Sequence, residues 1–311
     1  MKAKRGCLVL AVAIVLITCA VVAQFVARYQ SLDDNTEAIV LTPDIADVTY
    51  CTMDGVPQKL DVYYPLERDS DTMPLLVYVH GGGWTGRDKR KGSEIVDIPA
   101  MTARGYVVAA VNYRRAPGYR FPAPLNDVKC AVRFLRANAA RYGIDPNRVG
   151  IWGGSAGGHL AAMVGLTDPS AGFDVGEHIE QSSRVRAVAD LFGPTDLTAN
   201  LSMLQILLLY RAFGTIDSNA PILKQASPVN YVSRDAPPFL ILQGEQDDVV
   251  PAAQSELFYR QLVAAGVDAT LVSVKNANHN FAPTGGAISP SRAELSTRLG
   301  DFFDRWVKSS P

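Results

Sequence analysis

Short, continuous apolar runs recur along the chain and predict buried strands. Six of them show little alternation between polar and apolar residues, at 75–80, 106–113, 149–152, 185–192, 239–244 and 269–275. Strands that are apolar on both faces are typical of a parallel sheet covered by helices. Helical spacing of apolar residues lies between these runs, most clearly at 125–142 and 252–265. This succession of predicted strands and helices along the chain predicts a doubly wound α/β sheet with right-handed crossovers.

An antiparallel hairpin is predicted at the start of the folded region. Two runs of alternating character flank Asp54 and Gly55 within the stretch 47–65. An Asp-Gly pair in this setting is a strong signal for a two-residue turn, because both turn positions take positive φ. We therefore expect the mostly parallel sheet to open with an antiparallel pair.

The first 29 residues have a different pattern. Lys2, Lys4 and Arg5 precede a nearly unbroken apolar run at 8–27, which has about the length of a membrane-crossing helix. The pattern is typical of a membrane anchor, and cleavage after Ala23 would make it a signal peptide. Both interpretations predict that the rest of the chain lies outside the cytosol, either membrane-anchored or secreted or periplasmic. Residues 30–46 are polar and aperiodic, so a linker is expected there and the folded domain at 47–311.

Residues 195–228 interrupt the alternation of strands and helices. Their central run, 204–210, is too apolar for an exposed loop. A core helix is one interpretation and a small cap above a substrate pocket is the other. We favour the cap, because a cap presents apolar surface to an apolar ligand.

The composition narrows the classes of partner. The chain has 311 residues, 48% of them hydrophobic, and a formal net charge of −1. This charge gives no basic surface for nucleic acid, so no nucleic-acid partner is expected. No sequence feature sets an oligomeric state. Of the four cysteines, Cys51 and Cys130 fall in the predicted domain, where a disulfide and two buried free thiols both fit the sequence.

One serine stands among glycines directly after the predicted strand at 149–152. The pentapeptide from Gly153 to Gly157 fits Gly-x-Ser-x-Gly, and a helical pattern follows it. A serine on such a strand-to-helix turn is held in strained geometry, and small residues on either side let the strand and the helix approach closely. The turn presents the hydroxyl group at the carboxyl edge of the sheet. We therefore expect Ser155 to be a nucleophile, with a structural glycine loop as the alternative.

A serine nucleophile needs a base, and the chain has four histidines. His80 opens the stretch "HGGGW", where backbone amides matter more than the imidazole, so a structural role is expected. His159 follows Ser155 by one helical turn and is expected to point away from the base position. His178 lies in a polar loop and is expected to be solvated. His279 follows the last predicted strand and is the expected base.

The acid that orients the base is expected in the loop after the preceding strand. Asp247 and Asp248 are adjacent there, so at most one of them faces His279. The order Ser155, Asp247, His279 is typical of this class of sheet.

Backbone amides are expected to complete the site. The glycines of "HGGGW" let the main chain turn its N–H groups toward the nucleophile. Gly82 and Gly83, together with the amide of Ala156, are the expected donors of an oxyanion hole.

From about position 48 to its end, the chain resembles the α/β-hydrolase superfamily. It is similar to esterases and lipases of the hormone-sensitive lipase and bifunctional feruloyl/acetyl esterase (BD-FAE-like) type. The resemblance rests on "HGGGW" at His80, "NYRRAPGYRFPAPLNDVKCAVRFLRAN" at Asn112, "DPNRVGIWGGSAGGHLA" at Asp145, "ASPVNYV" at Ala226 and "PPFLILQGEQDDVVPAAQS" at Pro237.

The resemblance implies an α/β-hydrolase fold and an acyl-serine mechanism without a metal or organic cofactor. It also favours Asp247 as the acid, since this residue is the third after the glycine that ends the strand. Some relatives carry a large amino-terminal helical cap. The chain departs from them, because its segment 30–46 is short. This departure favours small or bulky-headed esters in a shallow cleft.

The expected function is therefore a serine carboxylester hydrolase acting on small-molecule esters of the aryl or acetyl type. The same residues also fit an amidase, a formamidase or a peptidase-like hydrolase, because the pocket selects the leaving group. A catalytically silent ligand-binding protein is a third hypothesis. The intact set of Ser155, Asp247 and His279 argues against it.

Overall fold

The computed structural model describes residues 41–68, 72–92, 97–199 and 203–308, with the side chains of 203 and 204 excepted. The chain divides into two compact units, 1–39 and 40–311, and the description concerns the second. Within these ranges no helix combines the length and the apolar character needed to cross a bilayer. The predicted anchor or signal peptide at 1–29 lies outside the described residues, as does most of the predicted linker.

Eight strands of the described region form one sheet in the spatial order β1-β2-β4-β3-β5-β6-β7-β8. The strands are β1 (Ile45–Met53), β2 (Val56–Tyr63), β3 (Met73–Val79), β4 (Val107–Val111), β5 (Ile144–Gly154), β6 (Ala187–Leu191), β7 (Phe239–Gly244) and β8 (Ala269–Val274). Strand β2 is antiparallel to both β1 and β4, and every other neighbouring pair is parallel. The predicted fold class, a mostly parallel doubly wound sheet opened by an antiparallel hairpin, is confirmed.

The hairpin turn forms where the sequence predicts it. Asp54 and Gly55 have φ values of 51° and 74°, and Met53 pairs with Val56 across the turn. Both φ values fall in the left-handed region, which aspartate tolerates and glycine adopts freely.

Helices cover both faces of the sheet. They are α1 (Ile98–Ala103), α2 (Ala123–Ala137), α3 (Ala139–Tyr142), α4 (Ala156–Leu166), α5 (Met203–Phe213), α6 (Pro221–Gln225), α7 (Ala252–Ala264) and α8 (Arg292–Phe303). The single helix predicted at 125–142 is interrupted at Asn138, which follows α2 and precedes α3. Helix α8 begins with a capping box, in which the Ser291 side chain accepts from the Glu294 amide and the Glu294 carboxylate accepts from the Ser291 amide.

Alternate residues of each central strand enter different cores. In β3, Leu75 and Val77 pack on the face covered by α2, α4 and α7, whereas Leu76 and Tyr78 pack on the face covered by α1 and α8. Because both faces are covered, the strand has no polar side, which explains the continuous apolar runs.

A disulfide joins the hairpin to the helical layer. Cys51 of β1 and Cys130 of α2 are bonded, with their Cα atoms 6.5 Å apart. The two cysteines therefore form a disulfide and are not free thiols.

The predicted cap region, 195–228, contains α5 and α6. Helix α5 buries Leu209 and Phe213 and leaves Tyr210 exposed. The side-chain amide of Gln205 donates to the Val249 carbonyl in the loop after β7. Helix α5 is thus anchored beside that loop, while its action as a cap stays a prediction.

Candidate active site

Ser155 occupies the sharp turn between β5 and α4. Its φ is 55° and its ψ is −121°, a conformation in which a residue with a side chain is strained. The Ser155 amide donates to the Leu191 carbonyl of β6 at 2.8 Å, and the Ser155 carbonyl accepts from the His159 amide at 3.0 Å. Strand and helix together therefore hold the serine at the carboxyl edge of the sheet.

The glycines around Ser155 let three backbone segments meet. A Cβ atom on Gly153 would lie 2.4 Å from the Val79 carbonyl oxygen, and one on Gly157 would lie 2.1 Å from the same oxygen. A Cβ atom on Gly158 would lie 2.3 Å from Oδ1 of Asp190. These distances are far below van der Waals contact, so no larger residue fits at these three positions without movement of the neighbours.

The structure brings Ser155, His279 and Asp247 together. His279 Nε2 lies 3.1 Å from Ser155 Oγ, and His279 Nδ1 lies 2.8 Å from Asp247 Oδ2. His279 is 5% exposed and Asp247 is 7% exposed, so little water competes for these hydrogen bonds. Asp248 is exposed.

Four donors hold the Asp247 carboxylate. Oδ1 accepts from the amides of Val249 at 2.9 Å and Val250 at 2.8 Å, while Oδ2 accepts from Gln243 Nε2 at 3.0 Å and from His279. Sequence reasoning missed Gln243. The available signal was a polar residue inside the otherwise apolar strand β7.

The hydrogen bonds define what this group can do chemically. A carboxylate oxygen accepts, so Nδ1 of His279 carries the proton and Nε2 is left to accept from the Ser155 hydroxyl. An imidazole in this tautomer can withdraw the hydroxyl proton while the carboxylate stabilises the cation that forms.

A glycine loop, residues 80–84, follows β3 and lies next to the serine turn. Val79 pairs with Gly153 in the sheet, so the loop begins level with the end of β5. Gly82 has a φ of 103° and Gly83 a φ of 57°, which a larger residue would adopt at a cost. In the described chain, no group accepts from the amides of Gly82 or Gly83.

Ala156 contributes a third available amide. It is the first residue of α4, where a backbone N–H has no acceptor within the helix. The site therefore combines a serine hydroxyl, a base and several unengaged N–H groups.

The chain also matches a family of known proteins over most of its length. The BD-FAE family model matches residues 60–262, which include the glycine loop, Ser155 and Asp247. The chain belongs to the BD-FAE family.

Curated relatives of this BD-FAE protein include an enzyme named as an esterase and one named as a deacetylase. Esterase LipQ of Mycobacterium tuberculosis is 36% identical over 75% of this chain and 56% of its own length. Arylacetamide deacetylase of Oryctolagus cuniculus is 41% identical over 38% of this chain and 30% of its own length. The chain spans little more than half the length of LipQ.

Solved structures share the fold. A truncated carbohydrate esterase from gut microbiota is 27% identical with a TM-score of 0.70, covering 88% of this chain and 99% of its own. The Est2 esterase of Thermogutta terrifontis is 27% identical with a TM-score of 0.69, covering 84% and 92%. Both the predicted α/β-hydrolase fold and the predicted family resemblance are confirmed.

The other histidines of the BD-FAE chain are placed apart from the serine hydroxyl. His80 is fully buried, stacks on Tyr113 at 4.3 Å between ring centroids, and donates from Nδ1 to the Gly81 carbonyl. Burial lowers the pKa of His80 to about 4. His178 is half-buried rather than fully solvated, because its ring packs edge-on against Phe134.

His159 is buried in α4 and bonded at both ring nitrogens. Nδ1 accepts from Trp84 Nε1 at 3.2 Å, and Nε2 donates to the Ala226 carbonyl at 2.7 Å. Burial lowers the pKa of His159 to about 4.

Asp190 is a buried carboxyl group beside the serine turn that sequence reasoning missed. It pairs with Gly153 in the sheet, and its Oδ1 accepts from the Gly193 amide at 2.9 Å. Its Oδ2 is buried and has no hydrogen-bond partner in the described part of the chain. Burial raises the pKa of Asp190 to about 7.

Proposed function

We propose that this protein is a serine carboxylester hydrolase that acts through an acyl-serine intermediate. One observation carries the proposal: Ser155, on a strained turn, lies 3.1 Å from a histidine whose other nitrogen lies 2.8 Å from Asp247. This arrangement gives a neutral hydroxyl group the base that it needs to become a nucleophile.

In acylation, Ser155 Oγ attacks the carbonyl carbon of the ester while its proton passes to His279 Nε2. The imidazolium that forms is stabilised by the Asp247 carboxylate, which is held by four donors and keeps its position through the step. His279 then gives the proton to the departing alkoxide, so that an alcohol leaves and the acyl group stays on Ser155.

The developing oxyanion is stabilised by the amides of Gly82, Gly83 and Ala156. Fixed donors of this kind act without reorganisation at the moment of reaction. Deacylation repeats the same steps with water in place of the serine hydroxyl, and it releases a carboxylic acid.

The comparisons support the ester as the bond that is cleaved. LipQ and the structural neighbours carry the name esterase, and their similarity extends over three quarters or more of this chain. The rabbit relative is named for an aryl acetamide, which is an amide, so its name supports the aryl and acetyl groups and not the ester bond. Small esters with an aryl or acetyl group are therefore the proposed substrates, and the described part of the cap region 195–228 is the proposed wall of their cleft.

The direct test is Ser155→Ala with a short-chain aryl ester as substrate. Turnover is expected to fall by at least ~10³-fold, as in serine hydrolases that lose the nucleophile. His178→Gln is the matched control, because its half-exposed ring lies on a distant loop, and it is expected to keep wild-type turnover. Undiminished turnover of Ser155→Ala would overturn the proposal.

The substrate class is tested with paired substrates. Esters and amides of the same acyl group, with acyl chains of increasing length, are compared by kcat/KM. The proposal expects short-chain and aryl esters to be cleaved fastest. A higher kcat/KM for the matching amides would instead identify an amidase.

We further propose that the hydrolase domain lies outside the cytosol, held by the amino-terminal apolar segment or released after its cleavage. The Cys51–Cys130 disulfide supports this location, because disulfides persist in oxidising compartments. Protease added to intact cells is expected to degrade a membrane-held domain. Protection from the protease, with no protein in the medium or the periplasm, would contradict the proposal.

A further inference from the structure

His159 joins three elements that surround the serine. It lies in α4, one helical turn after Ser155, and is fully buried. Its ring nitrogens bond to Trp84, which ends the glycine loop, and to Ala226, which follows α6 in the cap region. One side chain therefore links the serine helix, the glycine loop and the cap region.

The partners of His159 determine its tautomer. An indole N–H only donates and a carbonyl oxygen only accepts, so the imidazole is neutral and carries its proton on Nε2. The lowered pKa of about 4, which results from burial, keeps the ring neutral across the usual working range. The ring is thus a fixed acceptor for Trp84 and a fixed donor to Ala226.

Trp84 needs such an anchor. Its φ is 58°, a left-handed conformation that a bulky residue adopts only under strain. Its ring packs edge-on against Phe213 of α5 and against His159, with 5.2 Å between centroids in each pair. Relief of this strain would rotate the N–Cα bond of Trp84 and so turn the peptide that joins it to Gly83.

We propose that His159 is a positioning residue, which through its bond to Trp84 sets the orientation of the Gly82 and Gly83 amides relative to Ser155. This inference rests on the proposed function, because it assigns those amides to the oxyanion. A positioning role in the transition state affects kcat more than KM, and a small misplacement of a reacting geometry lowers rates by up to ~10²-fold.

Two substitutions separate the two bonds of His159. In His159→Asn, the side-chain oxygen takes the place of Nδ1 and still accepts from Trp84. In His159→Gln, the side-chain nitrogen takes the place of Nε2 and keeps only the bond to Ala226. We expect kcat near wild type for the first variant and ~10- to 100-fold lower for the second, with KM changed by less than ~3-fold.

Trp84→Phe tests the same bond from its other partner and does not alter the histidine. It is expected to lower kcat by a similar factor, and the double variant Trp84→Phe/His159→Gln is expected to lose little more than either single variant. The inference would be overturned by additive losses of kcat in the double variant or by equal kcat values for His159→Asn and His159→Gln. Losses confined to KM would overturn it as well.

The outcome for His159 is separable from that of the proposed function. If Ser155→Ala retains activity on the same ester, the proposed function fails. If Ser155→Ala is inactive but His159→Gln and Trp84→Phe both keep wild-type kcat, only the positioning role fails. Thermal unfolding of each variant confirms that a folded protein is being compared.

Discussion

Gln243 connects Asp247, the proposed acid, to the helical layer. Its Nε2 donates to Asp247 Oδ2, and its Oε1 accepts from the Ser255 hydroxyl of α7 at 2.8 Å. The amide is 2% exposed, so water does not replace either bond when the side chain is removed. At the residue scale, this makes Gln243 the most informative position outside the three proposed catalytic side chains.

Gln243→Leu is expected to lower kcat/KM by ~10- to 100-fold, because a hydrogen bond to a charged group contributes about 1.5–3 kcal/mol. The kinetics of ester hydrolysis measure the effect. Asp248→Asn is the matched control, since Asp248 is the exposed neighbour of the acid, and it should retain wild-type kcat/KM. A larger loss for Asp248→Asn than for Asp247→Asn would reverse the assignment of the acid.

Gly157→Ala is expected to destabilise the fold by ~2–4 kcal/mol. The added Cβ would lie 2.1 Å from the Val79 carbonyl and 2.8 Å from that of His80, and backbone atoms do not move aside cheaply. Denaturant unfolding measures the change. Gly118→Ala, whose Cβ would have its nearest neighbour at 3.8 Å, should change stability by less than ~1 kcal/mol. Similar values for the two variants would contradict the packing argument.

At the scale of elements, the disulfide holds the hairpin against α2. The hairpin lies at the edge of the sheet, and among the described residues β1 has one neighbouring strand. Cys51 and Cys130 are separated by 79 residues, so the bond closes a long loop in the unfolded chain.

Replacing both cysteines with alanine is expected to lower the free energy of unfolding by ~4 kcal/mol, on the chain-entropy account of a loop of this length. Chemical denaturation with and without a reductant measures the effect. Reductant should shift the midpoint of the wild type and leave the double variant unchanged. A wild-type midpoint that is insensitive to complete reduction would refute this role for the bond.

At the scale of the whole molecule, buried titratable groups set how stability depends on pH. Burial raises the pKa of Asp190 to about 7. Between pH 3.8 and about 7 the Asp190 carboxyl group is therefore mostly protonated in the folded state and mostly ionised in the unfolded state. The stabilisation from this group is complete below pH 3.8, and it is lost as the pH rises to about 7.

Asp190→Asn removes this dependence, because the amide does not ionise. The variant is expected to gain stability relative to the wild type as the pH rises from 4 to 7, by ~4 kcal/mol in total. Unfolding by denaturant at several pH values measures the difference. Asp235→Asn is the control, because the Asp235 carboxylate is exposed. The free energy of unfolding of this variant should change with pH as that of the wild type does. If the free energies of unfolding of Asp190→Asn and the wild type differ by the same amount at every pH, burial does not raise the pKa of this carboxyl group.

Much of the architecture was predictable from local patterns. All six continuous apolar runs overlap strands, and the Asp54-Gly55 turn forms the expected hairpin, since both signals depend on residues close in sequence. Helix α8 was not predicted, and the predicted helix at 125–142 is interrupted at Asn138. The pairing of β2 with β4 was not predicted either, because it joins segments that the local pattern does not connect.

The sequence by itself determined the fold class and the candidates Ser155, His279, Gly82, Gly83 and Ala156, because glycine spacing and strand-end positions are local features. The choice of Asp247 over Asp248 came from the family resemblance. Tertiary structure alone decided the distances among the three side chains and the pairing of Cys51 with Cys130. It also decided the support from Gln243, the bond between Trp84 and His159, and the burial of Asp190. Burial and hydrogen bonding between distant segments arise only when the sheet assembles, so no local pattern encodes them.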